Sequence, residues 1–123
     1  MTQNKRDLLL KDLCARLPYK VKLSYRCNHN HILKGIHESG LIVINDVSTN
    51  TIITTDVENT QPYLFPLSSM TDEQNKEYLK TCKGNNALFP TLATFEWCIK
   101  NYFDYRGLIS MGLAIDATDL NIY

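Results

Sequence analysis

The chain has 123 residues, 44% of them hydrophobic, so it can bury a core as one domain without disulfide or metal staples. Thirteen basic residues balance thirteen acidic ones, which argues against general binding of nucleic acid through a basic surface. No apolar run is long enough to span a membrane, and residues 1–7 do not read as a signal peptide. We therefore expect a cytoplasmic protein whose four cysteines stay reduced, and no pair of them forms a C-x-x-C motif.

An apolar face at helical spacing predicts a first helix over about residues 5–16. Its members are Leu8, Leu9, Leu10, Leu13, Cys14 and Leu17. Pro18 ends this helix, because a proline disfavours the helical conformation of the residue before it. Cys14 is expected to pack as a small apolar side chain, and Cys98 is expected to do the same on a later helix.

The pattern changes to a period of two after residue 20 and predicts short strands joined by polar turns. The predicted strands cover about 21–26, 32–37, 41–44 and 51–55, with a fifth near 57–60. A sheet this short must either curl into a small, partly open barrel of the SH3-like type or be covered by helices, and the flanking helices favour covering. Residues 61–67 contain two prolines, so we expect a connector over the sheet rather than a central strand.

The second half of the chain predicts two helices and a tail. Thr71 and Gln74 have the spacing of a capping box, which starts a polar surface helix that runs to about Cys82. Residues 83–86 form its stop, and residues 91–103 form an aromatic helix that is expected to fill the core. The predicted fold is therefore α+β, with an N-terminal helix, a curled antiparallel sheet of four to five strands, two C-terminal helices and a short tail.

Catalytic and metal motifs are scarce. The chain has no nucleophile elbow, no phosphate-binding glycine loop and no H-E-x-x-H, so we expect a protein that is not an enzyme and has no cofactor. Cys27, His29, His31 and His37 could ligate a metal, because alternation puts the first three on one side of a strand or turn. Their asparagine-rich surroundings favour a solvated hairpin loop instead.

Arg106 is the charged residue with the most interesting surroundings, since it follows Tyr105 at the end of the aromatic segment. An arginine beside aromatic rings suits the recognition of an anion or a nucleotide by forked hydrogen bonds and stacking. The alternative is a structural role, in which Arg106 pairs with Asp104 or with a helix C-terminus and fixes the turn, and we favour this alternative. Tyr63 and Tyr102 present the same choice between a ligand contact and a place in the core.

Three segments of the chain resemble those of a family of small proteins, without an assigned activity, from phages and mobile elements of gut anaerobic bacteria. Residues 62–71 resemble P-Y-L-R-P-L-S-S-M-T, and residues 103–114 resemble F-D-Y-R-G-L-I-x-x-G-L-A. Residues 8–19 resemble a third shared block. The chain departs from the pattern at Phe65, where the family often has arginine, and its sheet region matches poorly.

The resemblance implies a context rather than a reaction, and it transfers no catalytic residue. It implies a phage-type accessory protein in a bacterial host that counters a defence system by sequestering a small nucleotide messenger. The expected ligand-binding residues are Arg106, Tyr105, Tyr63 and Arg26, and an oligomer could build a pocket between protomers. The alternative is an inhibitor or adaptor that contacts a host protein through the edge of the sheet or through the polar helix.

Overall fold

The N-terminal helix α1 (Gln3–Arg16) forms as predicted, and the hydroxyl of Thr2 accepts a hydrogen bond from the N–H of Lys5 at its start. A computed structural model describes residues 1–84 and 88–123, except for the side chains of Asn28, His29 and Glu38. The other elements are β1 (Lys22–Tyr25), β2 (Asn28–Ile36), β3 (Leu41–Asp46), β4 (Thr51–Asp56), β5 (Thr60–Pro66), α2 (Asp72–Thr81), α3 (Leu92–Lys100), β6 (Phe103–Asp104) and β7 (Ile115–Asp116).

The strands form one open sheet in the order β4-β3-β2-β1-β5-β6, with β7 paired to β5. Strands β1 to β4 pair antiparallel as in the predicted meander. Strand β5 departs from the meander, because it crosses back and pairs antiparallel with β1 instead of β4. The two-residue strands β6 and β7 pair parallel to β5. The predicted α+β class, the N-terminal helix and the two later helices are confirmed. The sheet stays open and is covered by α1, so the SH3-like barrel does not form.

The prediction that residues 61–67 are a connector was wrong, because residues 61–66 lie in β5, inside the sheet. The carbonyl of Leu64 accepts a hydrogen bond on the β7 side, and the N–H of Phe65 donates on the β6 side. Alternate residues of a strand direct their backbone groups to the same edge, so the nitrogens of Pro62 and Pro66 face the β7 side, as Leu64 does. Both prolines lie just outside the two residues that pair with β7, so neither has to donate to the ladder.

The core lies between α1 and one face of the sheet. Leu9 and Leu13 of α1 are fully buried against Leu23, Ile42 and Ile44 of the sheet. The loop after β6 adds Leu108, Leu113 and Ala114 to the same cluster. Burial of these side chains supplies the main driving force for folding.

Helix α3 does not fill the core as predicted. It ends at Lys100, and Leu92, which heads the predicted apolar face, is 73% exposed. Thr94 and Cys98, one turn apart, are instead the buried residues of the helix. Phe103 is buried but belongs to β6, where its ring stacks on Trp97 at 5.4 Å. The side of the helix that carries Thr94 and Cys98 therefore packs on the protein, while the side that carries Leu92 and Phe95 is exposed.

Two further predictions have clear outcomes. The capping box of Thr71 and Gln74 is confirmed, and α2 buries none of its residues, as expected for a surface helix. Cys98 is buried as predicted, whereas the prediction for Cys14 was wrong because its side chain is exposed. Part of the predicted stop at 83–86 lies outside the described residues.

Candidate functional site

A buried ion pair joins α1 to β6. Asp12 and Arg16 are four residues apart on α1, and the side chains of both are 0% exposed. Nε of Arg16 donates to Oδ2 of Asp12 at 2.7 Å, and Nη2 of Arg16 donates to the carbonyl oxygen of Phe103 at 2.7 Å. Nη1 of Arg16 has no hydrogen-bond partner among the described residues. The guanidinium is therefore held by short, charge-assisted bonds at a place that water does not reach.

Arg106 shares the carboxylate of Asp12, since its Nε donates to Oδ1 at 3.2 Å. The prediction of a structural ion pair was correct in kind, but the predicted partner, Asp104, was wrong. Asp104 instead accepts hydrogen bonds from the N–H groups of Leu108 and Ile109 and so fixes the turn after β6. One carboxylate thus faces two guanidinium groups, and the cluster of Asp12, Arg16 and Arg106 carries a net positive charge.

Tyr105 joins this cluster to the surface. The guanidinium groups of both arginines lie over its ring. Cζ of Arg106 is 4.8 Å from the ring centroid of Tyr105, and Cζ of Arg16 is 5.9 Å from the same centroid. Burial raises the pKa of the Tyr105 hydroxyl, and the charge of Arg106 opposes that rise. The ring of Phe95 on α3 lies 5.2 Å from the ring of Tyr105. The side chain of Arg106 is 18% exposed, so this end of the cluster meets solvent.

We use the name α3 surface for the side chains of Leu92, Phe95, Tyr105 and Arg106. Leu92 is 73% exposed and Phe95 is 38% exposed, and the segment leading into α3 adds Phe89, which is 64% exposed. Three large apolar side chains are thus exposed on or just before α3, and one of them, Phe95, lies beside the ring of Tyr105. Isolated exposed leucines are ordinary, but a group of exposed apolar side chains marks an interaction site more often.

Tyr63 and Arg26 do not join Arg106 and Tyr105. Tyr63 is buried in β5, and Arg26 lies exposed in the turn after β1, with its guanidinium 5.2 Å from the ring centroid of Tyr25. Tyr25 pairs with residue 60 of β5, whereas β6 pairs with residues 65 and 66. At about 3.3 Å per residue, Tyr25, the residue before Arg26, is therefore roughly 17 Å along the sheet from the start of β6.

The sequence alone missed Asp12 and Arg16. Their spacing of four residues places them on one side of α1, and that side also carries Leu9 and Leu13. A charged pair on an apolar helix face was the available signal for a buried ion pair. Nothing local pointed to the contact between Asp12 and Arg106, because 94 residues separate them.

Neither of the two best-formed clefts in the described part of the chain includes Arg106 or Tyr105. One, of about 220 Å³, lies between residues 120–122 and the outer face of the sheet at Lys22, Ile32 and Val47. The other, of about 160 Å³, is lined by Phe65 and Phe103 together with polar side chains. Pockets for drug-sized ligands are usually about 300–1,000 Å³, so both clefts are small for a dinucleotide.

The histidines and Cys27 do not form a metal centre within the residues that the structure describes. His31 is buried, with Nε2 3.8 Å from Oδ2 of Asp46 and its ring edge-on to Tyr25. Cys27 and His37 are exposed. The side chain of His29 lies outside the described residues, so a metal held with its help is not tested.

Across residues 1–84 and 88–123, no helix is both long and apolar enough to cross a lipid bilayer. Comparison of the chain with models of protein families, with curated proteins and with solved structures found no match. The resemblance carried by residues 62–71 and 103–114 therefore stays a prediction, and the function has to be argued from the geometry.

Proposed function

We propose that this chain is a non-catalytic binding protein that takes a protein partner on the α3 surface. The observation that carries the proposal is the group of apolar side chains of Leu92, Phe95 and Phe89 that α3 and the segment before it leave in water. Leu92 and Phe89 keep most of their surface in water, and Phe95 keeps about a third of its surface there. A partner that covered this exposed apolar surface would gain about 25 cal/mol for each Å² removed from water.

The composition of the surface also supports a protein partner. The centres of protein interfaces are rich in tyrosine and arginine that lie beside apolar anchors. Tyr105 and Arg106 are stacked at 4.8 Å and lie next to Phe95. A partner that covers Leu92 would therefore also meet an amphipathic ring and a guanidinium.

The α3 surface is held rigid before any partner arrives. Thr91 and Thr94 form a reciprocal capping box at the start of α3, and the hydroxyl of Thr81 ties this box to α2. The carboxylate of Asp12 accepts a hydrogen bond from Nε of Arg106 and so fixes the orientation of the guanidinium. Ordering side chains on binding costs affinity, so a surface whose parts are already fixed binds more tightly than a mobile one.

The family resemblance supplies the biological context of the proposal. A small phage-type protein that lacks catalytic motifs can counter a bacterial defence by covering a surface of one of its proteins. We propose such a defence protein as the partner, in the cytoplasm of the host. The polar helix α2 is a weaker candidate surface than α3, because Leu79 is its main exposed apolar side chain.

Site-specific photo-crosslinking in host cells tests the proposal. A benzophenone amino acid replaces Leu92 in one variant and Val47, which is 52% exposed, in a matched control. We expect one discrete crosslinked host protein from the Leu92 position and none from the Val47 position. The same products from both positions, or none from Leu92, would overturn the proposal.

A nucleotide-type ligand is the second candidate, and the stacking of Arg106 on Tyr105 is the observation that favours it. A base could stack on the exposed side of Phe95 while the guanidinium of Arg106 meets a phosphate. Calorimetry against a panel of cyclic mono- and dinucleotides tests it, with Arg106→Ala as the variant and Arg26→Ala as the matched control. Binding that Arg106→Ala abolishes and Arg26→Ala retains supports this candidate, while the absence of heat from every nucleotide rejects it.

A further inference from the structure

Strand β4 ends the sheet and has none of the usual protection of an edge strand. It pairs with β3 through six successive residues without a bulge. Its sequence, Thr-Ile-Ile-Thr-Thr-Asp, contains no lysine, proline or glycine. Proteins usually blunt a sheet edge with such residues or with a bulge, because an open edge templates pairing with another strand.

The hydrogen bonds of β3 decide which residues of β4 face outward. The carbonyl of Leu41 and the N–H of Val47 bond to β2, so odd-numbered residues between them also face β2. The even-numbered residues of β3 therefore bond to β4. Their partners in the register are the odd-numbered residues of β4, namely Thr51, Ile53 and Thr55.

Ile52 and Thr54 consequently direct their N–H and C=O groups away from the sheet. No backbone hydrogen bond reaches those outward groups within the residues that the structure describes. The side chains are open as well, since Ile52 is 60% exposed and Thr54 is exposed. The edge thus offers two donors and two acceptors in the spacing of a strand.

We propose that this edge pairs antiparallel with the same edge of a second copy of the chain, about a twofold axis at Ile53. In this register Ile52 of each copy forms a hydrogen-bonded pair with Thr54 of the other copy, and both pairs use outward-facing groups. Ile53 then lies opposite its own counterpart on the side of the sheet that α1 covers. This is an isologous contact, so it closes at a dimer and does not propagate into a fibre.

The charges along the edge select a second copy and this register. Residues 51–55 carry no charge, so two copies meet without like-charge repulsion. The neighbouring Asp56 falls outside the pairing and is held by Arg6 at 2.7 Å. A register centred on Thr54 would place each Asp56 opposite Ile52, which desolvates the carboxylate against an apolar side chain.

The dimer goes beyond the proposed function and does not depend on it. Strand β4 is at one end of the sheet order, and α3 packs beside β6 at the other end. Pairing through β4 therefore leaves both α3 surfaces of the dimer open. A dimer with two outward-facing surfaces gains effective affinity for any target that is itself dimeric.

Disulfide trapping tests the register. Ile53→Cys in a Cys14→Ser/Cys27→Ser background brings two thiols face to face, because a non-hydrogen-bonded antiparallel pair has Cα atoms about 4.5 Å apart. Ile52→Cys in the same background is the matched control, since its two copies lie on a diagonal of about 7–8 Å. We expect mild oxidation to link Ile53→Cys at least about tenfold faster than Ile52→Cys. Equal rates, or no linked product, would overturn the register.

Sedimentation equilibrium of the full chain tests the dimer itself. We expect a concentration-dependent rise from the 14.1 kDa monomer to twice that mass. The double variant Ile52→Lys/Thr54→Lys, which opposes like charges at exposed positions, should raise the dimer dissociation constant at least about tenfold. Leu92→Lys, on the α3 surface, should leave that constant unchanged. A wild-type monomer at all concentrations, or a dimer sensitive only to Leu92→Lys, contradicts the proposal.

Discussion

Replacing Asp12 with asparagine should be among the most destabilising conservative changes in the chain. The substitution keeps the shape of the side chain but removes the charge that faces Arg16 at 2.7 Å and Arg106 at 3.2 Å. Arg16 is 0% exposed, and its Nη1 already lacks a partner among the described residues. Removing one partner of a buried ion pair usually costs about 3–5 kcal/mol, because the remaining charge stays buried without compensation.

Urea denaturation followed by circular dichroism measures this cost. A domain of this size has a total stability of about 5–15 kcal/mol, so Asp12→Asn should lose a large part of it. Arg106→Ala is the matched comparison and should cost less than Asp12→Asn, because the carboxylate of Asp12 keeps its hydrogen bond with Arg16. Replacing the pair together, as Asp12→Leu/Arg16→Met, should cost less than Asp12→Asn, because the fully buried charge of Arg16 is then removed together with its partner. A loss below about 1 kcal/mol for Asp12→Asn would refute the interpretation of the cluster.

Three further predictions concern single groups. Asp56→Asn should destabilise the chain near pH 7 and less so near pH 2. The hydrogen bond from Arg6 lowers the folded-state pKa of the Asp56 carboxyl, so its contribution is complete above the unfolded-state pKa of about 3.9 and is lost as the pH falls through the folded-state pKa. Urea titrations at both pH values measure the difference. Burial raises the pKa of the Cys98 thiol to about 11, so little of it is a reactive thiolate near pH 8. Iodoacetamide should therefore alkylate Cys98 roughly 100-fold more slowly than the exposed Cys14, and mass spectrometry measures both rates. Thr71→Ala should cost about 1 kcal/mol in a denaturation experiment by removing a cap of α2, whereas Ser68→Ala should cost almost nothing.

Local patterns were sufficient to predict much of the fold. The leucine spacing of α1, the alternation in β1 and the capping box at Thr71 depend on neighbours within a few residues, and all three were predicted correctly. Which side of α3 is buried was not predictable from the residues of the helix alone. Its apolar side looked like a core face, but Thr94 and Cys98 face the protein because Trp97 stacks on Phe103.

The structure brings together two of the four residues that the sequence predicts to bind a ligand, and the prediction that they bind one stays a prediction. Arg106 and Tyr105 were chosen from the sequence and do lie together. Tyr63 and Arg26 were grouped with them on chemistry alone, and the register of β5 separates Arg26 from them. The strand assignment of β5 failed for a related reason. Whether a proline harms a strand depends on which edge its nitrogen faces, and only the pairing of the whole sheet decides that.

The central claim is that the α3 surface binds a protein partner, and a matched pair of affinity measurements tests it most directly. The partner captured at Leu92 would be purified and titrated with Leu92→Ala and with Val47→Ala, two changes at residues that are 73% and 52% exposed. The account predicts that Leu92→Ala weakens binding at least about tenfold, which is about 1.4 kcal/mol, while Val47→Ala changes the affinity less than about twofold. Equal losses for the two variants, or full affinity for Leu92→Ala, would contradict it.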